Sequence, residues 1–153
     1  MKRETEETTP CLGEPGPCSA NGLGCCQKSK ILVIDDEPAN VELLQAILED
    51  CGYQNVKTIT DSRVALQACQ TFGPDLVLLD LMMPHVDGFA ILAGLRSEPH
   101  RVCTPVIVLT ADETKETRVR ALNAGATDFI LKPFDLTETL LRIERVLAMR
   151  LGG

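Results

Sequence analysis

Residues 76–88 read Leu76-Val77-Leu78-Leu79-Asp80-Leu81-Met82-Met83-Pro84-His85-Val86-Asp87-Gly88. The first four positions are apolar without alternation, the pattern of a strand buried on both faces in a helix-covered parallel sheet. The run stops at Asp80, and Pro84, Asp87 and Gly88 punctuate the turn that follows. Alone, a carboxylate at a strand end reads as a helix N-cap or a solvated turn acid. Asp80 is not alone, because other strand ends supply it with partners.

The chain has 153 residues, enough for one domain with one core. It is 44% hydrophobic but only 3% aromatic, so that core is built from Leu, Val, Ile and Ala, which suits a covered parallel sheet. A net charge of −7 argues against direct nucleic-acid binding, which needs a basic stripe to displace counterions. No apolar stretch has the length of a membrane span and the acidic N-terminus is no signal peptide, so no membrane association and a cytoplasmic location are expected. Residues 1–29 are rich in Pro and Gly and predict a disordered tail, with the folded domain over residues 30–150. Cys11, Cys18, Cys25 and Cys26 in that tail lack the paired spacings and histidines of a common zinc site. Cys51, Cys69 and Cys103 fall singly in regular segments, as small buried hydrophobes do.

Beyond the tail, residues 30–34 form a β-branched run that ends in Asp35-Asp36, and Pro38 sits where a first helical turn tolerates it. Val41, Leu44, Ile47, Leu48 and Cys51 mark one helix face, closed by Gly52. A weaker strand over residues 54–59 precedes a helix capped by Asp61 or Ser62, with Val64, Ala65, Leu66 and Ala68 as its stripe. After the 76–79 strand come a helix over 88–96 and a loop over 97–104. A further strand over 105–109 ends at Thr110, and a helix over 112–124 carries a thin stripe of Val119 and Leu122. The last strand, 128–131, ends at Lys132-Pro133, and Asp135 caps a helix with Leu136, Leu140, Ile143 and Leu147 inward. Five β-α units in strict alternation predict a doubly wound α/β sandwich with its site at the carboxyl ends of the strands. Those ends bring Asp35, Asp36, Asp80, Thr110 and Lys132 to one crevice.

Three clustered carboxylates repel one another, and a hard divalent cation such as Mg2+ relieves that repulsion. The cation and Lys132 would also suit a phosphoryl group, with a carboxylate as its nucleophile and Thr110 as a hydrogen-bond donor. The motifs Ile34-Asp35-Asp36-Glu37, Leu79 to Pro84 with Asp87-Gly88, Val108-Leu109-Thr110-Ala111 and Leu131-Lys132-Pro133-Phe134 resemble those of two-component response-regulator receiver domains. The resemblance runs from about Lys30 to Met149 and implies a flavodoxin-like five-stranded sheet ordered 2-1-3-4-5.

It implies further that Asp80 accepts a phosphoryl group from a sensor histidine kinase or phosphotransfer protein. Asp35, Asp36, Asp80 and the backbone carbonyl of Met82 would hold Mg2+, and Lys132, followed by a cis bond to Pro133, would pair with the phosphoryl oxygens. Thr110 and Phe129 would form the switch, remodelling the face made by the 112–124 helix, the last strand and the 135–150 helix for an effector or a homodimer partner. Met82 and Asp112 flank the expected path of the attacking water.

An enzymatic alternative finds little support. No Gly-rich loop follows the first strand, and Met82 cannot act as the acid or base of an aspartyl-phosphate phosphatase. The remaining alternative is a phosphorylation-independent docking module of the same fold. The chain reads as a stand-alone receiver or the receiver portion of a longer regulator, and its output is not encoded in these residues.

Overall fold

The aliphatic runs become five strands: β1 (Lys30–Ile34), β2 (Asn55–Ile59), β3 (Leu76–Asp80), β4 (Val106–Thr110) and β5 (Asp128–Leu131). These come from a computed structural model that describes residues 28–97 and 104–152. All pairings are parallel and the order is β2-β1-β3-β4-β5, as the resemblance implied. Between them lie α1 (Pro38–Asp50), α2 (Ala65–Phe72), α3 (Gly88–Ser97), α4 (Lys115–Asn123) and, after β5, α5 (Leu136–Gly152).

The strands' two-residue period divides the core into two layers. Ile31, Val33, Leu76, Leu78, Ile107 and Leu109 pack with Val41, Leu44 and Leu48 of α1 and Ile143, Val146 and Leu147 of α5. Leu32, Ile34, Val77, Leu79, Val106 and Val108 pack on the other face with α2, α3 and Ala121 of α4. Every residue of β3 and β4 is buried, which explains why their sequences show no alternation. Cys51 and Cys69 are buried thiols, as expected.

Several boundaries differ from the sequence reading, each for a local reason. The Asp61 carboxylate accepts the Arg63 N–H, but it caps a 3-10 turn (Ser62–Val64), so exposed Val64 precedes α2 instead of joining its stripe. Helix α4 starts at Lys115, because Thr114 is the residue whose side chain accepts a helical N–H. Val119 and Leu122 do not form an inward stripe: they are 43% and 46% exposed, and Ala121 alone is buried. The Asp135 carboxylate accepts the Glu138 N–H at 3.0 Å, but Leu136 lies in the first turn of α5 with its side chain largely in solvent. The tail and its cysteines up to residue 27, together with His100 and Cys103, lie outside the described residues.

Candidate functional site

The sheet register sets the crevice. Asp80 closes β3 opposite Leu109, and Thr110 closes β4 opposite Leu131, so the residues after β1, β3, β4 and β5 converge at one end. Asp35 is fully buried, and its carboxylate accepts the Glu37 N–H at 3.0 Å and the Asn40 side-chain amide at 3.1 Å. Asp80 is also buried and accepts the Met82 N–H at 3.2 Å. Lys132 reaches across both strands, with Nζ 3.0 Å from Asp35 Oδ2 and 3.2 Å from Asp80 Oδ1. Asp36 is more open, and oxygens of Asp35, Asp36 and Asp80 lie within 4.8 Å of one another.

Among the described residues, the Lys132 ammonium thus pairs with two members of a group of three carboxylates. Burial, and then the charge of Asp35, push the Asp80 carboxyl up to about 7 against the opposing pull of Lys132. Burial disfavours the Lys132 charge, but hydrogen bonding to Asp35 and the charges of Asp80 and Asp35 outweigh it and raise its pKa above the ordinary value. The donor set is all oxygen, hard and short of positive charge, which fits Mg2+ and would not suit a soft thiophilic metal.

Two features fix the floor of the crevice. Gly88, the first residue of α3, donates its N–H to the Leu81 carbonyl at 3.0 Å. A Cβ there would stand 2.6 Å from Leu81 Cα and would strike the Asp80 carbonyl, so only glycine lets α3 start this close to the strand end. Ser62 reaches over from the turn before α2. Its hydroxyl donates to the Pro84 carbonyl at 2.7 Å and accepts the Val86 N–H at 3.2 Å, straddling His85, whose φ is +72°.

The opposite rim is built differently. Buried Thr110 accepts the Asp112 N–H on Oγ1 at 3.0 Å, and its carbonyl accepts the Lys132 N–H at 2.8 Å. Phe129 is half-buried, and the Arg118 guanidinium lies 4.6 Å from its ring centroid. Arg120 lies 3.8 Å over the Phe89 ring, where the two close a groove also lined by Leu81, Met82, Met83 and Asp87. The Met82 side chain is 72% exposed, so it is its backbone that meets Asp80.

Of the five strand-end residues singled out in the sequence, Asp35, Asp36, Asp80 and Lys132 meet through their side chains, and Thr110 borders them through its backbone bond to Lys132. The Lys132-Pro133 bond is cis. Sequence reasoning missed Asn40, Ser62, Arg118 and Arg120. Asn40 carried a signal, standing in the first turn of the helix that follows Asp35, whereas the two arginines count as solvent-facing in any hydropathy pattern.

This fold and this crevice define a class, the receivers of two-component signalling. A family model of the response regulator receiver domain matches residues 31–144. The chain belongs to that family. It is 39% identical over 121 residues to the DNA-binding dual master transcriptional regulator RpaA of Synechocystis, covering 77% of this chain and 48% of the relative. It is 40% identical over 147 residues to the transcriptional regulatory protein TcrA of Mycobacterium tuberculosis, covering 95% of this chain and 54% of the relative. The chain thus spans about half the length of these curated relatives. Among solved structures, the Vibrio cholerae chemotaxis protein CheY4 superposes with a TM-score of 0.74 at 30% identity, covering 78% of this chain and 98% of that one. The receiver domain of a Pseudomonas aeruginosa sensor histidine kinase, with a magnesium ion coordinated in its active-site cleft, gives 0.70 at 28% identity, covering 82% and 99%. Receiver domains interact with histidine kinases and effector domains. Among the described residues no helix is long and apolar enough to cross a membrane.

Proposed function

We propose that residues 30–150 form a receiver unit in which Asp80 takes a phosphoryl group from a sensor histidine kinase or a phosphotransfer protein. An Asp80 oxygen attacks phosphorus and the P–N bond to the donor imidazole breaks. The imidazole nitrogen keeps the bonding pair, so a donor ring already protonated on its other nitrogen leaves as neutral imidazole, and Asp80 becomes an acyl phosphate. Lys132 stays beside the new oxygens, and the Thr110 hydroxyl donates to one of them. Asp35, Asp36, Asp80 and the Met82 carbonyl would hold Mg2+, which supplies the positive charge that lets a carboxylate approach an anionic phosphoryl group.

The observation that carries this reading is the Lys132 ammonium held at 3.0 and 3.2 Å between two buried carboxylates. A purely structural ion pair needs one carboxylate, and the second costs free energy unless something positive arrives. Thr110 and Phe129 then form the switch. Movement of Thr110 toward the phosphoryl group opens space for the ring, and α4, β5 and α5 present the altered face to an effector domain, a downstream protein or a second copy of the chain.

Incubation with acetyl phosphate and Mg2+, followed by intact mass, tests the chemistry. One phosphoryl adduct is expected, lost in Asp80→Asn and lost with a chelator. No adduct on the folded chain would overturn the reading and leave a phosphorylation-independent docking module.

A further inference from the structure

Asp112 stands two residues beyond Thr110, on the expected path of the water that would hydrolyse an aspartyl phosphate. Its carboxylate is already engaged. Oδ1 accepts the Thr114 N–H at 2.8 Å and Oδ2 accepts the Thr117 hydroxyl at 2.6 Å, while Thr114 Oγ1 accepts the Thr117 N–H at 3.3 Å. These bonds, that of Thr117 first, hold the Asp112 carboxyl below its ordinary range. From its backbone Asp112 donates in the other direction, to Thr110 Oγ1 at 3.0 Å. One residue therefore joins the Thr110 hydroxyl to the first turn of α4. The far end is held by Arg96, which donates to the Gly125 carbonyl, but along the helix Ala121 is the one buried residue, flanked by Arg118 over Phe129 and Arg120 over Phe89.

We infer that Asp112 is a positioning residue that couples Thr110 to α4, and through Arg118 to Phe129, and is not a group that orients water. The inference rests on the phosphoacceptor reading for its biological use, but the link exists in the unphosphorylated chain. When Thr110 turns toward Asp80, its Oγ1 leaves the Asp112 N–H. The loop carrying the clasp loses its tether to β4, the first turn of α4 loosens, and the Arg118 cover over the Phe129 ring moves with it.

Amide hydrogen exchange on the full chain, without phosphodonor, tests the link. Asp112→Ala and Thr110→Ala should each speed exchange at residues 117–120 by about fivefold, the worth of one ordinary hydrogen bond. The double variant should add less than about twofold more, because both changes cut one chain of bonds. Asp112→Asn, which keeps an acceptor, should restore about half of the effect on a logarithmic scale. Additive effects, or exchange unchanged in Asp112→Ala, overturn the inference. With acetyl phosphate and Mg2+, the parent should show the same acceleration in α4, and Asp112→Ala no further gain. Dephosphorylation of Asp112→Ala should stay within about threefold of the parent, and a tenfold change with unaltered α4 exchange would make Asp112 a water-orienting group instead. Failure of the parent to form an adduct overturns the phosphoacceptor reading, while the exchange data from unphosphorylated chains still decide the link.

Discussion

Helices α3 and α4 follow neighbouring strands and cover the same face of the sheet, yet they are held by different forces. Helix α3 buries Gly88, Ile91, Leu92 and Leu95, and its first residue touches the backbone of the strand end that carries Asp80. Helix α4 buries Ala121 alone and relies on a threonine-aspartate clasp and two arginines laid on rings. Each large aliphatic side chain of α3 contributes roughly 1.5–3 kcal/mol of burial, whereas a solvent-facing arginine over a half-buried ring contributes about 0.5–1 kcal/mol. One wall of the crevice is thus fixed by several buried aliphatic side chains at once. The other can shift for the worth of a few hydrogen bonds.

Substitutions of three kinds would break or sharpen that contrast. Leu92→Ala on α3 should cost about 3 kcal/mol in urea unfolding, since the side chain is fully buried. A loss below about 1 kcal/mol would mean that α3 is no better anchored than α4. The next effect concerns charge on the fixed wall. Asp80 rises from 3.8 unfolded to about 7 folded, so the fold prefers its protonated form. Stability from this group is complete below about pH 4 and is lost as pH climbs through about 7. Metal-free Asp80→Asn should therefore match the parent near pH 4 and exceed it by on the order of 2 kcal/mol at pH 8. Mg2+ should narrow the gap by stabilising the parent alone, and a pH-independent difference would remove the idea of stored repulsion. Smallest of the three, Arg120→Ala should cost about 0.5–1 kcal/mol and Val119→Ser less than about 0.5 kcal/mol. A Val119→Ser loss near that of Leu92→Ala would place α4 among the packed helices after all.

The same contrast explains what could be read from sequence. Strands β1, β3 and β4 announce themselves because burial on both faces demands unbroken aliphatic runs, and each run ends at a buried polar residue of the crevice, Asp35, Asp80 or Thr110. The crevice was legible for that reason. Helix α4 was not. Its start is ambiguous because Asp112, Glu113 and Thr114 are acceptors in a row, and only geometry selects Thr114 as the cap. Its inward face was misread because hydropathy favours Val119 and Leu122 over the residues that make its contacts, an alanine and two arginines. Leu136 failed similarly: a first-turn residue need not share the face that the later turns bury.

The Ser62 hydroxyl has a consequence for anyone who wishes to transplant this crevice. The loop beyond Asp80 is closed by an oxygen that belongs to another connection, eighteen positions upstream of Asp80. A chimera that imports residues 80–88 into a related scaffold lacking a hydroxyl at the matching place would inherit the loop's sequence without its clamp. The modular unit is a pair of segments, and recombination breakpoints between Ser62 and β3 would separate partners that function only together.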